Sequence, residues 1–324
     1  MEGCLPADRA NGRRTSTVLV DVVDRLRCPH CAARTGDDVG LALDGRTLGC
    51  PAGHSFDVAK QGYVSLLTGQ APTVPGDTGA MVAAREAFLA GGHFADLTAA
   101  LATHAAQFAA DSPSAPEERT DLLSGADGGT RGAAGCVVDL GAGTGHHLAG
   151  VLDAVPGWVG VAADISGYAL RRAARAHPRA GAVRCDAWRP LPLRTGAADV
   201  VLIVFAPRNG AELHRVLRPG GVVVVAAPTD RHLRELATAV GAVSVDPRKT
   251  DRLDAALGPY LTATGAQTHE TTLRLSHAEA VTAVAMGPAA WHVDPATLEA
   301  RVATLAEPVE VTVSVTLSVY RRTA

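Results

Sequence analysis

Residues 137–148 read VVDLGAGTGHHL, and this stretch decides the fold. An apolar run meets an acidic residue, and a glycine-rich turn and the start of a helix follow. The glycines at 141, 143 and 145 allow a sharp turn and let a ligand approach the main chain closely. Thr144 is placed to cap the helix that follows. The pattern predicts a strand, a glycine loop and a helix, the first unit of a doubly wound nucleotide-binding sheet.

The next two predicted strands end in the acidic residues that suit such a loop. Residues 159–163 read as a buried strand before Asp164, and residues 182–185 lead to Asp186. The first acid can accept both ribose hydroxyls of an adenosine, and the second can bond an adenine amino group. NAD-binding sites also use an acidic residue to bind the ribose hydroxyls. The loop here, however, is Asp-x-Gly-x-Gly-x-Gly rather than Gly-x-Gly-x-x-Gly. The combination resembles class I S-adenosylmethionine methyltransferases; the alternative is a glycine-rich turn beside solvent-facing carboxylates.

A second group of motifs lies nearer the amino terminus. Cys28 and Cys31 form a Cys-x-x-Cys knuckle, and Cys50 and His54 form a Cys-x-x-x-His knuckle. A hairpin predicted to turn at Asp44-Gly45 joins the two knuckles. Three thiolates and one imidazole suit a closed tetrahedral site, so we expect a structural Zn²⁺. A redox Cys-x-x-Cys is the competing interpretation, and it would leave the second pair unexplained.

The composition narrows the class of protein. The chain has 324 residues, 47% of them hydrophobic, which suits one large domain plus a small one. A net charge of −3 gives no global basic field that would attract nucleic acid. We find no apolar run long enough to span a membrane, and residues 17–23, interrupted by Asp21, make a poor signal peptide. The spacing of the six cysteines indicates metal binding in a reducing cytoplasm.

Longer segments carry a resemblance to a known family. The zinc motif is followed by FDVAKQGYVSLL at 56–67, PGDTGAMVAAREAFLAGGHF at 75–94 and DLGAGTGHH at 139–147. This order resembles the 23S rRNA guanine-N1 methyltransferases, and most of all their actinomycete branch, which confers tylosin- and mycinamicin-type macrolide resistance. The resemblance covers residues 26–320. It implies methylation of N1 of a guanine in the domain II hairpin of 23S rRNA, at the peptide exit tunnel.

The resemblance also completes the expected cofactor site. Phe94, His147, Leu148 and His232 are implied by the family alone, and Phe94 stands where many relatives carry Tyr. The residues expected to bind S-adenosylmethionine are Phe94, Gly141, Gly143, Gly145, His147, Leu148, Asp164, Asp186 and His232. No catalytic residue is assigned. Candidates for taking the guanine N1 proton are His93, the loop at 205–209 and the aspartates of the loop strands.

The expected fold is α/β, a class I S-adenosylmethionine-dependent methyltransferase with a Rossmann-like doubly wound sheet and a small N-terminal zinc-binding domain. The expected partners are 23S rRNA, ribosomal assembly particles and a second copy in a homodimer, with no membrane. The expected segments are a disordered extension at 1–24, a zinc-binding RNA-recognition domain at 25–70, a helical connector at 71–108, a flexible linker or insert at 109–135 and the methyltransferase domain at 136–324.

Several alternatives stay open from the sequence. The arginine-rich helix at 167–176 is either a phosphate contact or a solvated face, and Trp291 is either a core residue or a base-stacking platform. The zinc module either grips RNA or supports the connector helices. Two other functions compete: a small-molecule methyltransferase in an antibiotic pathway, and a zinc-dependent RNA-binding module with a degenerate core. The acidic net charge favours the former slightly, and the intact cofactor motifs disfavour the latter.

Overall fold

The computed structural model of this chain describes residues 19–69, 73, 75–112, 135–241 and 249–323. Most of the predicted extension, residues 1–18, and most of the predicted linker, residues 113–134, lie outside the described residues. Within the described ranges no helix is both long and apolar enough to cross a membrane.

The first knuckle precedes a small three-stranded ribbon, and the second connects its last two strands. Helix α1 (Pro29–Thr35) begins directly after Cys28, with proline at its first position, where a missing N–H costs nothing. Three short strands then pair antiparallel in chain order: β1 (Ala42–Asp44), β2 (Thr47–Gly49) and β3 (Ser55–Asp57). The predicted hairpin is therefore present as β1 and β2.

The remaining elements build a mixed sheet with helices. In chain order they are β4 (Tyr63–Ser65), α2 (Gly79–Ala90), α3 (Ala95–Asp111), β5 (Cys136–Leu140), α4 (His146–Ala154), β6 (Val159–Asp164), α5 (Gly167–Ala176), β7 (Ala180–Arg184), β8 (Ala198–Val204), α6 (Gly210–Val216), β9 (Leu217–Pro228), α7 (Arg234–Ala239), α8 (Lys249–Leu257), β10 (Thr262–Leu275), α9 (His277–Ala285), α10 (Pro295–Val302) and β11 (Val309–Arg321).

The sheet has eight strands in the order β10-β11-β9-β8-β5-β6-β7-β4. All neighbours pair in parallel except β11, which is antiparallel to both β9 and β10. Strands β5 and β8 are buried along almost their whole length because helices or other segments cover both faces of a parallel sheet, and each carries a single acid, Asp139 and Asp199. The doubly wound architecture is confirmed, and the two terminal strands β10 and β11 pair along their length.

The ribbon is joined to the sheet rather than tethered beside it. Strand β4 leaves the ribbon and pairs with β7 as the edge strand of the large sheet. The crossover at 185–197 contains no helix, and Leu26 pairs with its Leu193. Val22 lies directly on β7, since a Cβ added at Gly181 would come within 2.4 Å of Val22 Cγ2. The segment before the ribbon thus covers the face that a crossover helix would otherwise cover.

Some boundaries differ from the sequence prediction. Residues 19–24 were assigned to the disordered extension, yet Leu19 and Val22 are fully buried in the core. Helix α3 runs on to Asp111, beyond the predicted end of the connector at 108. Residues 218–221, whose Pro-Gly-Gly sequence favours a turn, belong to the long strand β9. In each case packing against neighbouring elements extends order past the point where local composition predicts a break.

Candidate active site and metal centre

The four predicted zinc ligands converge at the end of the ribbon. His54 Nδ1 lies 3.4 Å from Cys28 Sγ, 3.5 Å from Cys31 Sγ and 3.4 Å from Cys50 Sγ, and the sulfurs of Cys31 and Cys50 are 3.9 Å apart. Tetrahedral zinc with ordinary bond lengths needs sulfur–nitrogen separations of about 3.5 Å and sulfur–sulfur separations of about 3.8 Å. The set fits a tetrahedral Zn²⁺, which these four residues would hold as a closed structural site.

His30 lies inside the first knuckle but outside the ligand set. Its ring packs against the His54 ring at 5.0 Å between centroids and is stacked on Phe56 at 5.6 Å. It therefore supports the orientation of the ligating imidazole through packing.

A cavity of about 1120 Å³ opens at the carboxyl ends of the central strands, where α/β sheets bind their ligands. Seven of the nine residues expected to bind the cofactor line it: Phe94, Gly141, Gly143, His147, Asp164, Asp186 and His232. Gly145 and Leu148 do not. Leu148 is fully buried in the hydrophobic core, and a Cβ at Gly145 would meet Ala173 at 3.1–3.2 Å, so this glycine lets α4 and α5 pack closely.

The glycine loop has the left-handed backbone that its sequence predicts. Gly141, Gly143 and Gly145 have φ values of 80°, 55° and 79°, which other residues rarely adopt. Gly141 is also required by space, because its Cβ would lie 2.4 Å from that of Ala206. The prediction that Thr144 caps the helix was wrong: the cap position is Gly145, and no side chain caps it.

The two acids beyond the loop are held by backbone amides. Asp164 accepts hydrogen bonds from the amides of Gly143 (2.8 Å) and Ser166 (2.7 Å), and its burial nonetheless raises its pKa. Asp186 accepts from the amides of Thr73 (2.8 Å) and Trp188 (2.9 Å). Burial acts to raise the pKa of Asp186, but these hydrogen bonds outweigh it, so the pKa is lowered.

Asp139 is a buried acid at the cavity with a strongly raised pKa. It is 1% exposed, and burial, together with the charge of Asp164, raises its pKa to about 7. Its Oδ1 is buried and has no hydrogen-bond partner among the residues described. A buried acceptor beside a glycine loop fits the ammonium group that the methionine part of S-adenosylmethionine carries. The loop and its three acids therefore fit this cofactor, which supplies an electrophilic methyl group when bound.

His147 is neutral in this environment. Burial, with the nearby charges of His146 and Arg85, lowers the pKa of His147 to about 3. Its Nδ1 lies 2.8 Å from the hydroxyl of Thr98 on α3, so the ring is fixed between the helical connector and the cavity.

The comparisons with known proteins agree with both sites. Residues 26–71 match the zinc-ribbon family described as "RlmA, N-terminal", and residues 137–221 match the family described as "Methyltransferase domain". A protein of Micromonospora griseorubida, named "Putative 23S rRNA (guanine-N(1)-)-methyltransferase", is 51% identical over 307 residues, which cover 93% of this chain and 98% of that protein. The chain belongs to the 23S rRNA (guanine-N1)-methyltransferase family.

Two further relatives share this length. The "23S rRNA (guanine(748)-N(1))-methyltransferase" of Streptomyces fradiae is 48% identical, with 93% of this chain and 98% of that protein covered. A protein of Bacillus subtilis (strain 168), with a name of the same type as that from Micromonospora, is 29% identical over 82% of this chain and 86% of its own length. The chain is thus an S-adenosylmethionine-dependent methyltransferase with a zinc ribbon.

Three rings meet where strand β8 of this methyltransferase ends. The ring centroids of Phe205 and His232 are 5.3 Å apart, and each lies 6.0 Å from the ring centroid of Phe94. Phe205 has a φ of 56°, unusual for a non-glycine residue, and it remains 41% exposed. Nδ1 of His232 accepts the Ser314 amide at 3.3 Å, so a neutral His232 carries its proton on Nε2. In this tautomer Nε2 of His232 is a hydrogen-bond donor and not a base.

The other candidates from the sequence have different positions. His93 does not line the cavity; its Nε2 lies 3.2 Å from Glu279 on α9. Of the loop at 205–209, Phe205, Ala206 and Pro207 line the cavity, whereas Asn209 caps α6. Trp291 lines the cavity and is 48% exposed, so it is not a core residue.

Several charged residues that the sequence did not indicate also line the cavity. Arg85 of α2 and its partner Asp77 both line it, in the segment that carried the family resemblance. The only signal was a single arginine in an otherwise alanine-rich helix.

Proposed function

We propose that this methyltransferase transfers the methyl group of S-adenosylmethionine to N1 of a guanine in the domain II hairpin of 23S rRNA, at the peptide exit tunnel. The observation that carries the proposal is the match to the Streptomyces fradiae enzyme, which is named for guanine 748 and covers both the zinc ribbon and the cofactor domain. A shared fold alone would not support this choice of substrate.

The shape of the cavity supports a flipped base as acceptor. Trp188 and Trp291 are each 48% exposed, and Phe205 is 41% exposed, and all three line the cavity that holds the glycine loop. A base splayed out of an RNA loop stacks on aromatic side chains of this kind. Methyl transfer is an in-line displacement, so the main task of these walls is to align guanine N1 with the methyl group and to exclude water.

The remaining expectations belong to the same proposal. Modification at this position would hinder macrolides of the tylosin and mycinamicin type, and it would take place in the cytoplasm, where ribosomes are assembled. The zinc ribbon would contact RNA that flanks the target base. A homodimer and action on assembly particles are further expectations, to be tested by light scattering and by assays on isolated particles.

Primer extension tests the reaction and the position together. Unmodified 23S rRNA is incubated with the purified enzyme and S-adenosylmethionine, and reverse transcriptase is expected to stop one nucleotide before the methylated guanine. The control is Asp164→Asn, which removes a carboxylate of the cofactor site. No stop on naked RNA or on assembling particles, although the enzyme binds S-adenosylmethionine, would contradict the proposal. Labelled transfer to a macrolide precursor would then support the small-molecule alternative.

Resistance is tested in cells. Expression of the wild-type enzyme in a macrolide-sensitive bacterium should raise the inhibitory concentration of tylosin or mycinamicin, and expression of Asp164→Asn should not. If both proteins raised the inhibitory concentration equally, resistance would not depend on methylation.

A further inference from the structure

Arg85 places a positive charge at the glycine loop from outside the Rossmann-like core. It projects from α2 and lines the cofactor cavity, with a side chain that is 27% exposed. A Cβ added at Gly143 would lie 3.4 Å from Arg85 Nη1 and 3.5 Å from its Cδ, so the side chain lies against the loop. The glycine loop is expected to hold the methionine part of the cofactor, which would place that part beside Arg85.

Two fixed partners orient the guanidinium group. Nη1 forms a short ion pair with the carboxylate of Asp77, and Nη2 donates to the carbonyl oxygen of Met286 at 2.8 Å. These two bonds use two of the five N–H groups of an arginine. Arg85 therefore has donors beyond those that its structural partners require.

The charges around the loop are otherwise negative. Asp77, Asp139 and Asp164 line the same end of the cavity, and the Asp139 oxygen without a partner fits an ammonium group. The other arginine that lines the cavity in the described ranges, Arg301 of α10, bonds the carbonyl of Val240 and lies beside Gly241 rather than beside the loop. Arg85 is thus the cation placed for a negative group at the loop.

We propose that Arg85 binds the carboxylate of the methionine part of S-adenosylmethionine, while Asp139 faces its ammonium group. A planar guanidinium pairs with a carboxylate through two parallel hydrogen bonds, which an ammonium side chain cannot reproduce. The proposal concerns the cofactor alone and holds whichever acceptor the enzyme methylates.

The same arginine connects the cofactor to the wall of the acceptor site. Met286 begins the loop that continues into the single turn Pro288–Trp291, and Met286 and Trp291 both line the cavity. Because Arg85 bonds the Met286 carbonyl, the position of its guanidinium depends on that loop. Arg85 is therefore oriented by two elements outside the nucleotide-binding core, α2 and the loop after α9.

Calorimetry with two ligands that differ only in the carboxylate tests the proposal. Wild type, Arg85→Gln and Arg85→Lys are titrated with S-adenosylmethionine and with decarboxylated S-adenosylmethionine. Arg85→Gln should weaken binding of the intact cofactor about tenfold or more, the effect of losing a charge-assisted pair. Its affinity for the decarboxylated form should stay within about twofold of the wild type. Arg172→Gln is the matched control, since Arg172 pairs with Glu86 next to Arg85 on the outer side.

Each outcome decides the proposal. Equal losses for both ligands would mean that Arg85 acts only through Asp77 and Met286, and unchanged binding of the intact cofactor would also overturn the proposal. If Arg85→Gln does not fold, Arg85→Lys keeps the charge but loses the planar fork. It should then show a smaller loss that is again confined to the ligand with the carboxylate.

Discussion

At the scale of single residues, the burial of Asp139 at the cofactor site lowers the free energy of unfolding near neutral pH. Its folded pKa of about 7 lies above the ordinary value of 3.8. Between these two values the unfolded chain releases the proton while the folded chain retains it. The contribution of this group to the free energy of unfolding therefore falls as the pH rises from about 4 to about 7 and changes little above that.

Asp139→Asn removes this dependence. Relative to the wild type, the variant should gain stability as the pH rises from 5 to 7, by up to about 1.4 kcal/mol per pH unit. It should also bind S-adenosylmethionine more weakly, because the carboxylate charge that faces the ammonium group is lost. Urea unfolding at pH 5, 6, 7 and 8 measures the first effect, with the exposed Asp230→Asn as control. A difference from the wild type that does not vary with pH would contradict this account.

Phe205 shows strain at the same site. Its φ of 56° is a left-handed conformation that costs a side chain with a Cβ about 1 kcal/mol or more. Phe205→Gly should therefore be more stable than Phe205→Ala by about 1 kcal/mol, whereas glycine is normally the less stable of the two. Both variants should lose methyl transfer. Denaturant midpoints decide the sign, and the same comparison at Leu233, with a φ of 52°, repeats the test.

At this scale the sequence predicted part of the site. The zinc ligands, the loop glycines and the acids Asp164 and Asp186 could be predicted because their spacing along the chain follows from the chemistry of the ligand. Arg85 and Phe205 could not be assigned in this way. Arg85 reaches the loop from a helix more than fifty residues earlier in the chain. The backbone of Phe205 lies where the end of β8 packs closely against the glycine loop, with Ala206 beside Gly141, and this packing is not visible in the local sequence.

At the scale of elements, substitutions at Gly181 test the packing of Val22 on β7. A side chain at Gly181 would overlap Val22 Cγ2, which a Cβ would approach to 2.4 Å. Gly181→Val should therefore destabilise the protein by about 1–3 kcal/mol through overpacking. The control is Gly265→Val on β10, where no atom lies within 4 Å of an added Cβ and no loss is expected.

A second substitution distinguishes overpacking from a general effect on the strand. Adding Val22→Ala to Gly181→Ala should recover part of the stability lost by Gly181→Ala alone, because the smaller side chain makes room. Additive losses in this double-mutant cycle would place the cause in β7 itself.

The order of elements was easier to predict than their limits. Alternating strands and helices, and the terminal pair β10 and β11, are visible as changes in hydrophobic period. The pairing of β4 could not be predicted from the sequence. Its three residues within FDVAKQGYVSLL form no pattern that indicates an edge strand of the large sheet. Pairing between segments more than a hundred residues apart depends on tertiary packing, which local patterns do not record.

At the scale of the whole molecule, the zinc ribbon shares one of the two hydrophobic clusters of the cofactor domain. The buried ligands Cys28, Cys31 and Cys50 belong to the same hydrophobic cluster as Val183 of β7 and Leu193 of the crossover. Beyond β4, the chain continues to Thr73, whose amide bonds Asp186 in the cofactor cavity. Because the shared cluster reaches β7, the strand that precedes Asp186, we expect order in the ribbon to affect a residue that is expected to meet the adenine.

Removal of zinc should consequently affect the whole enzyme. Calorimetry of the intact protein should show one unfolding transition, and a chelator should lower its midpoint rather than split it, because the ribbon and the large sheet bury side chains in the same hydrophobic cluster. Chelation should also weaken S-adenosylmethionine binding, although no zinc ligand lines the cavity. Cys50→Ser should reproduce both effects without a chelator. A ribbon that melts first, with an unchanged second transition and unchanged cofactor affinity, would instead show that the two parts are independent and that the shared core contributes nothing to binding.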